Sequence, residues 1–365
     1  MEVQFKAGIT RHCFLVLLAL IFASDMGRGF GQSTLALKRV GTTPTPIMMH
    51  GSAVIKDRMY VIGGNADTLG WSNSVWSAKI NADSSISDWR SEPPLPDYRS
   101  YIMNSVQTVG NRIYVIGGTN RAGAASPDGQ STTAQDILWA EAGADGTLSQ
   151  WQRSMPYPGD KVTNAASFAS GNAVYLVGGR GGGISSAVTI AELAADGSIK
   201  GWKMSKPMPV STWFQGAGTL GNHAFVWGGL VKTDNQFCND QIYRADIQAD
   251  GSLGEWASVG RIATSVYSAG FTAMNGFLVS VAGRYQMGYP TNGMWYAAVK
   301  GGVPGEWAFL NTDLQTRLYM ALAVDRAGGR IFVVGGRDRT ARTVEEDVNS
   351  HVLDTIQAFQ LTPAK

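Results

Sequence analysis

Arginine and aromatic residues recur at matching points along the sequence, in a combination suited to binding an anionic ligand. An apolar segment that ends in two small residues occurs six times, and in three copies the next residue is arginine: Arg180, Arg284 and Arg337. The segments that lead into the copies add further arginine and aromatic residues at comparable positions: Arg99, Arg317, Tyr101, Trp213, Tyr267 and Tyr319. A guanidinium group can hold a carboxylate through two parallel hydrogen bonds, and an aromatic face can stack on a sugar ring.

We therefore predict a ligand-binding site that consists of Arg99, Arg180, Arg284, Arg317, Arg337 and Tyr319. The alternative is that each arginine is a solvated loop residue or pairs with a nearby carboxylate. A charged segment at residues 337–347, RDRTARTVEED, follows the last small pair. Glu345 or Glu346 could supply a proton-transferring carboxylate there, whereas mixed charges of this kind also suit a solvated loop. The sequence assigns no catalytic residue.

No metal site and no cofactor are expected. The four histidines are His12, His50, His223 and His351, and His50 and His351 are the pair expected on one side of the fold. Two histidines without a neighbouring cysteine do not make a copper site. Cys238 has no histidine near it in sequence and is expected to be an inert thiol. The segment GGRGGG at 178–183 lacks the Lys-Ser/Thr pair of a phosphate-binding loop.

The recurring segments define an internal repeat. The second small residue stands at 64, 118, 179, 229, 283 and 336, so successive copies lie 54, 61, 50, 54 and 53 residues apart. An aspartate six residues before a tryptophan occurs at Asp83, Asp145, Asp196 and Asp250, and glycine follows the last three. Asp-Gly between apolar segments favours a tight β-hairpin because glycine accepts positive φ. Each repeat thus predicts four short antiparallel strands, and the fourth carries the tryptophan.

The final repeat lacks its tryptophan strand, because it runs through a third strand at 356–361 and stops at Lys365. Leu37 is followed by proline seven residues later, as three of the tryptophans are, so we predict that residues 35–40 form the missing strand. Four-stranded sheets repeated around an axis form a β-propeller, which leaves few strand edges unpaired. The prediction is an all-β, six-bladed propeller over residues 33–365, with the last blade closed by the N-terminal strand. An open β-solenoid is the alternative.

The repeat resembles kelch repeats, in which two glycines follow an apolar strand and precede an aromatic residue and a tryptophan. Its Asp-Gly hairpin makes it more similar to bacterial kelch-like propellers related to the galactose oxidase central domain and to N-acetylneuraminate epimerase. The resemblance implies a kelch-like propeller. For an epimerase of this type it implies that Arg180, Arg284 and Arg337 hold the carboxylate of an acidic sugar. No catalytic glutamate of that group can be matched to a position here by motif.

Composition and charge exclude several classes of protein. Glycine accounts for 45 of 365 residues and charged residues for 16%, which argues against a disordered or long helical protein. A net charge of +2 does not favour nucleic acid as a partner. Residues 1–24 resemble a secretory signal peptide, since Lys6 and Arg11 precede an apolar run too short to span a bilayer. We expect a secreted or periplasmic protein without a stable membrane span; a tail with a chance apolar stretch is the alternative.

Two functions from different classes follow. The first is a secreted binding module that recognises a glycan or a protein partner through the loop-rich face of the propeller. The second is an acidic-sugar mutarotase or epimerase, and a structural role in an envelope assembly is a further possibility. Fold alone does not decide among them, because one fold hosts many functions.

Overall fold

Antiparallel sheets of short strands organise the described chain. The structure is a computed structural model that describes residues 37–66, 70–121, 132–231, 237–262, 264–285, 288–310, 312–338 and 351–363. Within those ranges every regular element is a β-strand, so the all-β prediction is confirmed there. The same residues contain no helix with the length and hydropathy needed to cross a bilayer. The predicted signal peptide at 1–24 and the candidates Glu345 and Glu346 lie outside the described residues.

Six sheets of four or five strands occur in the described residues. Sheet 1 consists of Gly51–Ile55, Arg58–Ile62, Val75–Ile80 and Ile86–Glu92. Sheet 2 consists of Val106–Val109, Arg112–Ile116, Ile137–Glu141 and Gln152–Arg153. Sheet 3 consists of Ala166–Ser170, Ala173–Val177, Val188–Leu193 and Ile199–Met204. Sheet 4 consists of Gly216–Leu220, His223–Trp227, Gln241–Asp246 and Ala257–Arg261.

Sheets 5 and 6 depart from this plan in their outer strands. Sheet 5 consists of Gly270–Met274, Phe277–Val281 and Met294–Lys300, and its third strand pairs with both Val303–Pro304 and Ala308–Leu310. Sheet 6 consists of Ala321–Asp325, Arg330–Val334, Thr355–Gln360 and the strand Lys38–Thr42. Lys38 lies opposite Ala358 and Thr42 opposite Thr355. The strand at the edge of sheet 6 therefore overlaps the predicted segment 35–40 but begins at Lys38 and extends to Thr42.

The first strands of the six sheets lie side by side. Each contacts the first strand of the next sheet, and the first strand of sheet 6 contacts that of sheet 1. Apolar clusters fill the space between successive sheets, and the repeated tryptophans belong to them. Trp151, directly before the fourth strand of sheet 2, packs among residues of sheet 1 and donates its indole N–H to the Pro93 carbonyl at 2.9 Å. Trp256, directly before the fourth strand of sheet 4, packs among residues of sheet 3 and donates its indole N–H to the Lys206 carbonyl at 3.3 Å.

The two small residues after each second strand are required by the backbone. Both adopt positive φ in all six copies, and Ala282 does so at 53° where the first glycine is absent. A Cβ atom on Gly64 would lie 2.7 Å from the Met48 carbonyl oxygen. In each copy the second N–H donates to a carbonyl of the segment that leads into the following sheet, and the acceptors are Arg99, Val162, Thr212, Val266, Arg317 and Ile47. The small pair thus ties each sheet to the next segment of chain.

The tyrosine of the apolar segment and the Asp-Gly hairpin of the next repeat form one contact. The hydroxyls of Tyr60, Tyr114 and Tyr175 donate to the carbonyl oxygens of Gly146, Gly197 and Gly251 at 2.6, 2.9 and 2.7 Å. Those three glycines have φ of 78°, 83° and 79°, as the hairpin prediction requires. The two motifs therefore recur together because each supplies one partner of the same hydrogen bond between adjacent sheets.

An arginine replaces the tyrosine donor in two sheets. Phe225 of sheet 4 has no hydroxyl, and Arg244 donates to the Gly302 carbonyl of sheet 5 at 3.2 Å. In sheet 6 the equivalent residue is Phe332, and Arg330 donates to the Asn81 carbonyl in the hairpin of sheet 1 at 2.9 Å. The contact between sheets is kept although the side chain that makes it changes.

Candidate functional site

Short ladders form where the second strands of the sheets end, and we call this end of the fold the mouth. In each ladder, a residue of the segment leading into a sheet pairs with the residue directly after the small pair of that sheet. The pairs are Met48–Asn65, Ser100–Thr119, Thr163–Arg180, Trp213–Leu230, Tyr267–Arg284 and Leu318–Arg337. The three arginines singled out from the repeat therefore occupy equivalent positions at the mouth.

A turn with unusual backbone geometry brings side chains of several sheets together at the mouth. The segment leading into each sheet passes through one residue with φ between 51° and 58°: Met49, Tyr101, Asn164, Phe214, Ser268 and Tyr319. Such conformations cost non-glycine residues of order 1 kcal/mol and cluster at functional sites. Met49 donates its N–H to the Tyr319 carbonyl at 2.8 Å, and Tyr319 donates to the Ser268 carbonyl at 3.2 Å. These turns are therefore held to one another.

The side chains of these turns form an apolar surface that we call the aromatic array: Trp213, Phe214, Tyr267 and Tyr319. The ring centroids of Trp213 and Phe214 lie 4.7 Å apart, and Phe214 lies 6.4 Å from Tyr267 and 6.1 Å from Tyr319. The guanidinium carbon of Arg180 lies 4.6 Å from the centroid of the Trp213 ring, and Arg180 remains exposed. The array therefore offers flat apolar faces with a cation at one end.

Arg284 lies at another end of the array, beside Tyr267. Its Nε and Nη2 atoms are buried and have no hydrogen-bond partner among the described residues. Burial raises the pKa of Tyr267, and the neighbouring Arg284 guanidinium opposes part of that rise. Leaving a buried donor without an acceptor costs roughly 1–3 kcal/mol. Two such donors on one guanidinium suit a carboxylate, which can accept both.

Arg337 and Tyr319 also lie at the mouth. Arg337 is half-buried, pairs with Leu318 and makes a second bridge to Val352. Tyr319 contacts Phe214 in the aromatic array. Four of the six predicted ligand-binding residues, Arg180, Arg284, Arg337 and Tyr319, thus either follow a small pair directly or occupy a positive-φ turn of the mouth.

Arg99 and Arg317, also predicted to bind ligand, have different surroundings from the other four residues. Both are fully buried. Arg99 bonds to Asp97 at 3.0 Å and to Asp136 at 2.9 Å, and Arg317 donates to the Gly335 carbonyl at 3.0 Å. Their carbonyls accept the N–H of a small pair, a position held in other copies by Ile47, Val162, Thr212 and Val266. These two side chains hold the mouth segments in place from within.

The sequence analysis missed a second contact between an arginine and an aromatic ring. The guanidinium carbon of Arg121 lies 5.1 Å from the Trp71 ring centroid, and Trp71 lies 6.5 Å from Tyr101. Arg121 stands two residues after Thr119, which holds the ladder position, and residues two apart on a strand point to the same face. That spacing is the signal that could have identified it. Met48, Met49 and Met103, which pack with the array, carried no sequence signal.

Burial holds two titratable groups near the mouth in their neutral forms. Complete burial lowers the pKa of His50 to about 3, so its ring is neutral. Burial raises the pKa of Cys238 to about 12, so its thiol is not a ready nucleophile. The carboxylates of Asp97 and Asp136 both pair with Arg99 and Arg153. Within the described ranges no three His, Cys, Asp or Glu side chains are grouped so as to hold a metal ion.

Comparisons with known proteins show what this chain is similar to. No family model matches it. A stretch of 86 residues, 23% of this chain, is 31% identical to tRNA wybutosine-synthesizing protein 2/3/4 of Arabidopsis thaliana, and it spans only 8% of that relative's length. Among solved structures, YjhT matches with a TM-score of 0.66 and 13% identity, over 87% of this chain and 96% of that chain. This likeness and the many small antiparallel sheets fit a β-propeller fold.

Proposed function

We propose that this chain is an exported, six-bladed kelch-like propeller that binds a glycan or protein partner through a carboxylate captured at its mouth. The contacts among first strands that return from sheet 6 to sheet 1 support six blades in a closed ring. The pairing of Lys38–Thr42 with Thr355–Gln360 supports closure of the last blade by the N-terminal strand. The signal-like sequence at residues 1–24 supports export to a secreted or periplasmic location.

The observation that carries the binding proposal is the pair of buried, unpartnered donors on Arg284 beside Tyr267. A carboxylate accepting both donors satisfies them and brings an attached ring onto the aromatic array. Arg180, stacked on Trp213, places a second positive charge at the array. An acidic sugar, with a carboxylate on a ring, matches this combination better than a neutral sugar or a hydrophobic peptide does.

Titration of the purified protein with N-acetylneuraminic acid and with neutral N-acetylglucosamine tests this proposal by isothermal calorimetry. We expect the acidic sugar to bind and the neutral one not to bind. Arg284→Gln should weaken binding at least tenfold, the effect of losing a charge-assisted hydrogen bond. Arg261→Gln is the matched control, because Arg261 lies on the outer strand of sheet 4, is 70% exposed and pairs with Asp240. Equal losses in the two variants, or equal binding of both sugars, would contradict the proposal.

An acidic-sugar mutarotase is the second candidate, and the position of Tyr267 favours it. Its hydroxyl lies beside the guanidinium proposed to hold the carboxylate, so it is placed to exchange a proton with a bound sugar. Exchange between the anomers of N-acetylneuraminic acid can be followed by NMR. The mutarotase requires faster exchange with the protein and a loss of that acceleration in Tyr267→Phe. If the protein binds N-acetylneuraminic acid but does not change the rate of anomer exchange, the mutarotase is excluded and the binding module is retained.

A further inference from the structure

A cavity lies between the first strands of all six sheets, apart from the aromatic array. Its volume is about 280 Å³. The polar part of its lining includes Ser52, Gln107, Thr108, Thr272 and Arg326. Arg326 is the one charged residue in this lining, which contains no carboxylate.

Two residues of the segment leading into sheet 2, Met103 and Asn104, separate the cavity from the mouth. Met103 lines the cavity and also belongs to the apolar cluster of the mouth. Asn104 reaches across from the segment leading into sheet 2, and its amide nitrogen lies 3.4 Å from both the Gln215 and the Ala269 carbonyl oxygens. A solute in the cavity is therefore screened from the aromatic array by these two side chains.

Arg326 defines the opposite end of the cavity. It lies in the turn between the first and second strands of sheet 6, and its Nη1 donates to the Ala273 carbonyl of sheet 5 at 2.8 Å. Arg326 is an exposed residue at this end of the cavity, and partial desolvation of its guanidinium lowers its pKa. The adjacent carboxylate of Asp325 accepts from Gly328 and pairs with Arg330 at 2.7 Å. The charge of Arg326 is therefore not offset by its acidic neighbour.

We propose that this axial cavity binds a small inorganic oxyanion of the size of phosphate on Arg326. A cleft with low-dielectric walls and charge of one sign concentrates counter-ions, and a guanidinium presents several donors to an oxyanion. Thr108 and Thr272 also line the cavity, and a threonine hydroxyl is a donor that suits oxygen ligands. The anion enters from the end that carries the turns between first and second strands, since Asn104 spans the other end. This site is independent of the mouth and of the function proposed for it.

Calorimetric titration with inorganic phosphate at constant ionic strength tests the axial site. We expect saturable binding to the wild-type protein, and a phosphate Kd at least tenfold higher in Arg326→Gln, as expected for loss of a charged donor. Arg284→Gln and Arg261→Gln should keep the phosphate Kd within about twofold, because neither side chain lines the cavity. Arg284→Gln therefore separates the two sites, since it removes acidic-sugar binding and spares phosphate binding.

Two results overturn the proposal: no phosphate binding to the wild type, or an unchanged phosphate Kd in Arg326→Gln. Circular dichroism first establishes that each variant is folded. If Arg326→Gln does not fold, Thr272→Val, which keeps the side-chain shape and removes a hydroxyl from the lining, replaces it. A phosphate Kd unchanged in Thr272→Val then counts against the site, and a raised Kd supports it. Acetate serves as a second probe in Arg284→Gln, which removes the carboxylate site proposed at the mouth. In that variant, acetate binding tighter than phosphate binding would assign the cavity to carboxylates and overturn the oxyanion proposal.

Discussion

Replacing Arg99 by methionine should destabilise the protein and leave ligand affinity unchanged. The guanidinium bonds to both carboxylate oxygens of Asp97 at 3.0 Å, to Asp136 at 2.9 Å and to the Gly117 carbonyl at 2.8 Å. The side chains of Asp97 and Asp136 are only 15% and 9% exposed. Methionine has a similar length, so the change removes the charge and donors and leaves two desolvated carboxylates behind.

The expected size of the effect follows from these contacts. Removing one partner of a buried ion pair costs roughly 3–5 kcal/mol. Arg153 still pairs with both carboxylates and is 42% exposed, so we expect the lower end, about 3 kcal/mol. Unfolding entropy is about 2.1 cal/mol/K per residue, which gives ~0.7 kcal/mol/K for roughly 330 residues. The Tm should therefore fall by about 4 °C.

Thermal unfolding followed by tryptophan fluorescence measures this loss, and titration with N-acetylneuraminic acid measures affinity in the same variant. Arg261→Met is the control, because that side chain is 70% exposed, and its Tm should stay within about 1 °C of the wild type. The reasoning is refuted if Arg99→Met keeps the wild-type Tm and loses tenfold or more in affinity. That outcome would return Arg99 to the ligand-contact role that the sequence suggested.

Three further predictions concern the contacts between sheets, the mouth and the acid response. Tyr114→Phe should lower the free energy of unfolding, measured by urea denaturation, by roughly 1–2 kcal/mol, because the buried Gly197 carbonyl loses its donor. Tyr289→Phe is the control and should have almost no effect, since Tyr289 is 50% exposed. Equal losses in the two variants would argue against the contact between Tyr114 and Gly197. Arg284→Met should raise the Tm by about 1–3 °C, since it removes buried donors that have no acceptor, and should abolish acidic-sugar binding. A lowered Tm would show that the guanidinium already has hydrogen-bond acceptors in the free protein. Burial opposes ionisation of Asp97, but bonds from Arg99 and Arg153 hold its pKa below the usual value. Its stabilising contribution is therefore present above about pH 4 and is lost as the pH falls through the folded pKa, so wild-type Tm should fall more steeply below pH 4 than that of Asp97→Asn.

The repeat could be recognised from the sequence because its recurring residues are ones that the backbone conformation requires. A small pair is needed where both residues adopt positive φ, and Asp-Gly is needed at a tight hairpin whose carbonyl accepts from the preceding sheet. Outer strands were harder to place, because strand pairing there depends on tertiary contacts. In sheet 2 the fourth strand has only two residues, Gln152–Arg153, and in sheet 5 the third strand pairs with two short segments.

Positions within the repeat are enough to locate part of the mouth. Arg180 and Arg284 follow the small pair directly, so the ladder register fixes their place. The burial of Arg99 and Arg317 was not expected, because arginine is usually exposed, whereas their equivalents in the other copies include Ile47 and Val162. Comparison of those positions would have indicated an inward orientation. The spacing of Arg121 from Thr119 indicates its face of the strand, but its contact with Trp71 could not be predicted by this comparison, because the two residues belong to different repeats.

The strand Lys38–Thr42 also affects how the chain is assembled. The adjacent residue Thr43 donates both its backbone N–H and its hydroxyl to the carbonyl oxygen of Asp354, which lies 311 positions away in sequence. Closing so long a loop carries an entropic cost, and contacts of such separation form slowly. During synthesis on the ribosome, the strand Lys38–Thr42 therefore stays unpaired until Thr355–Gln360 has been made. During refolding at high protein concentration, the unpaired strand can pair with a second copy of the chain. Dilute conditions should therefore give the better yield of monomer.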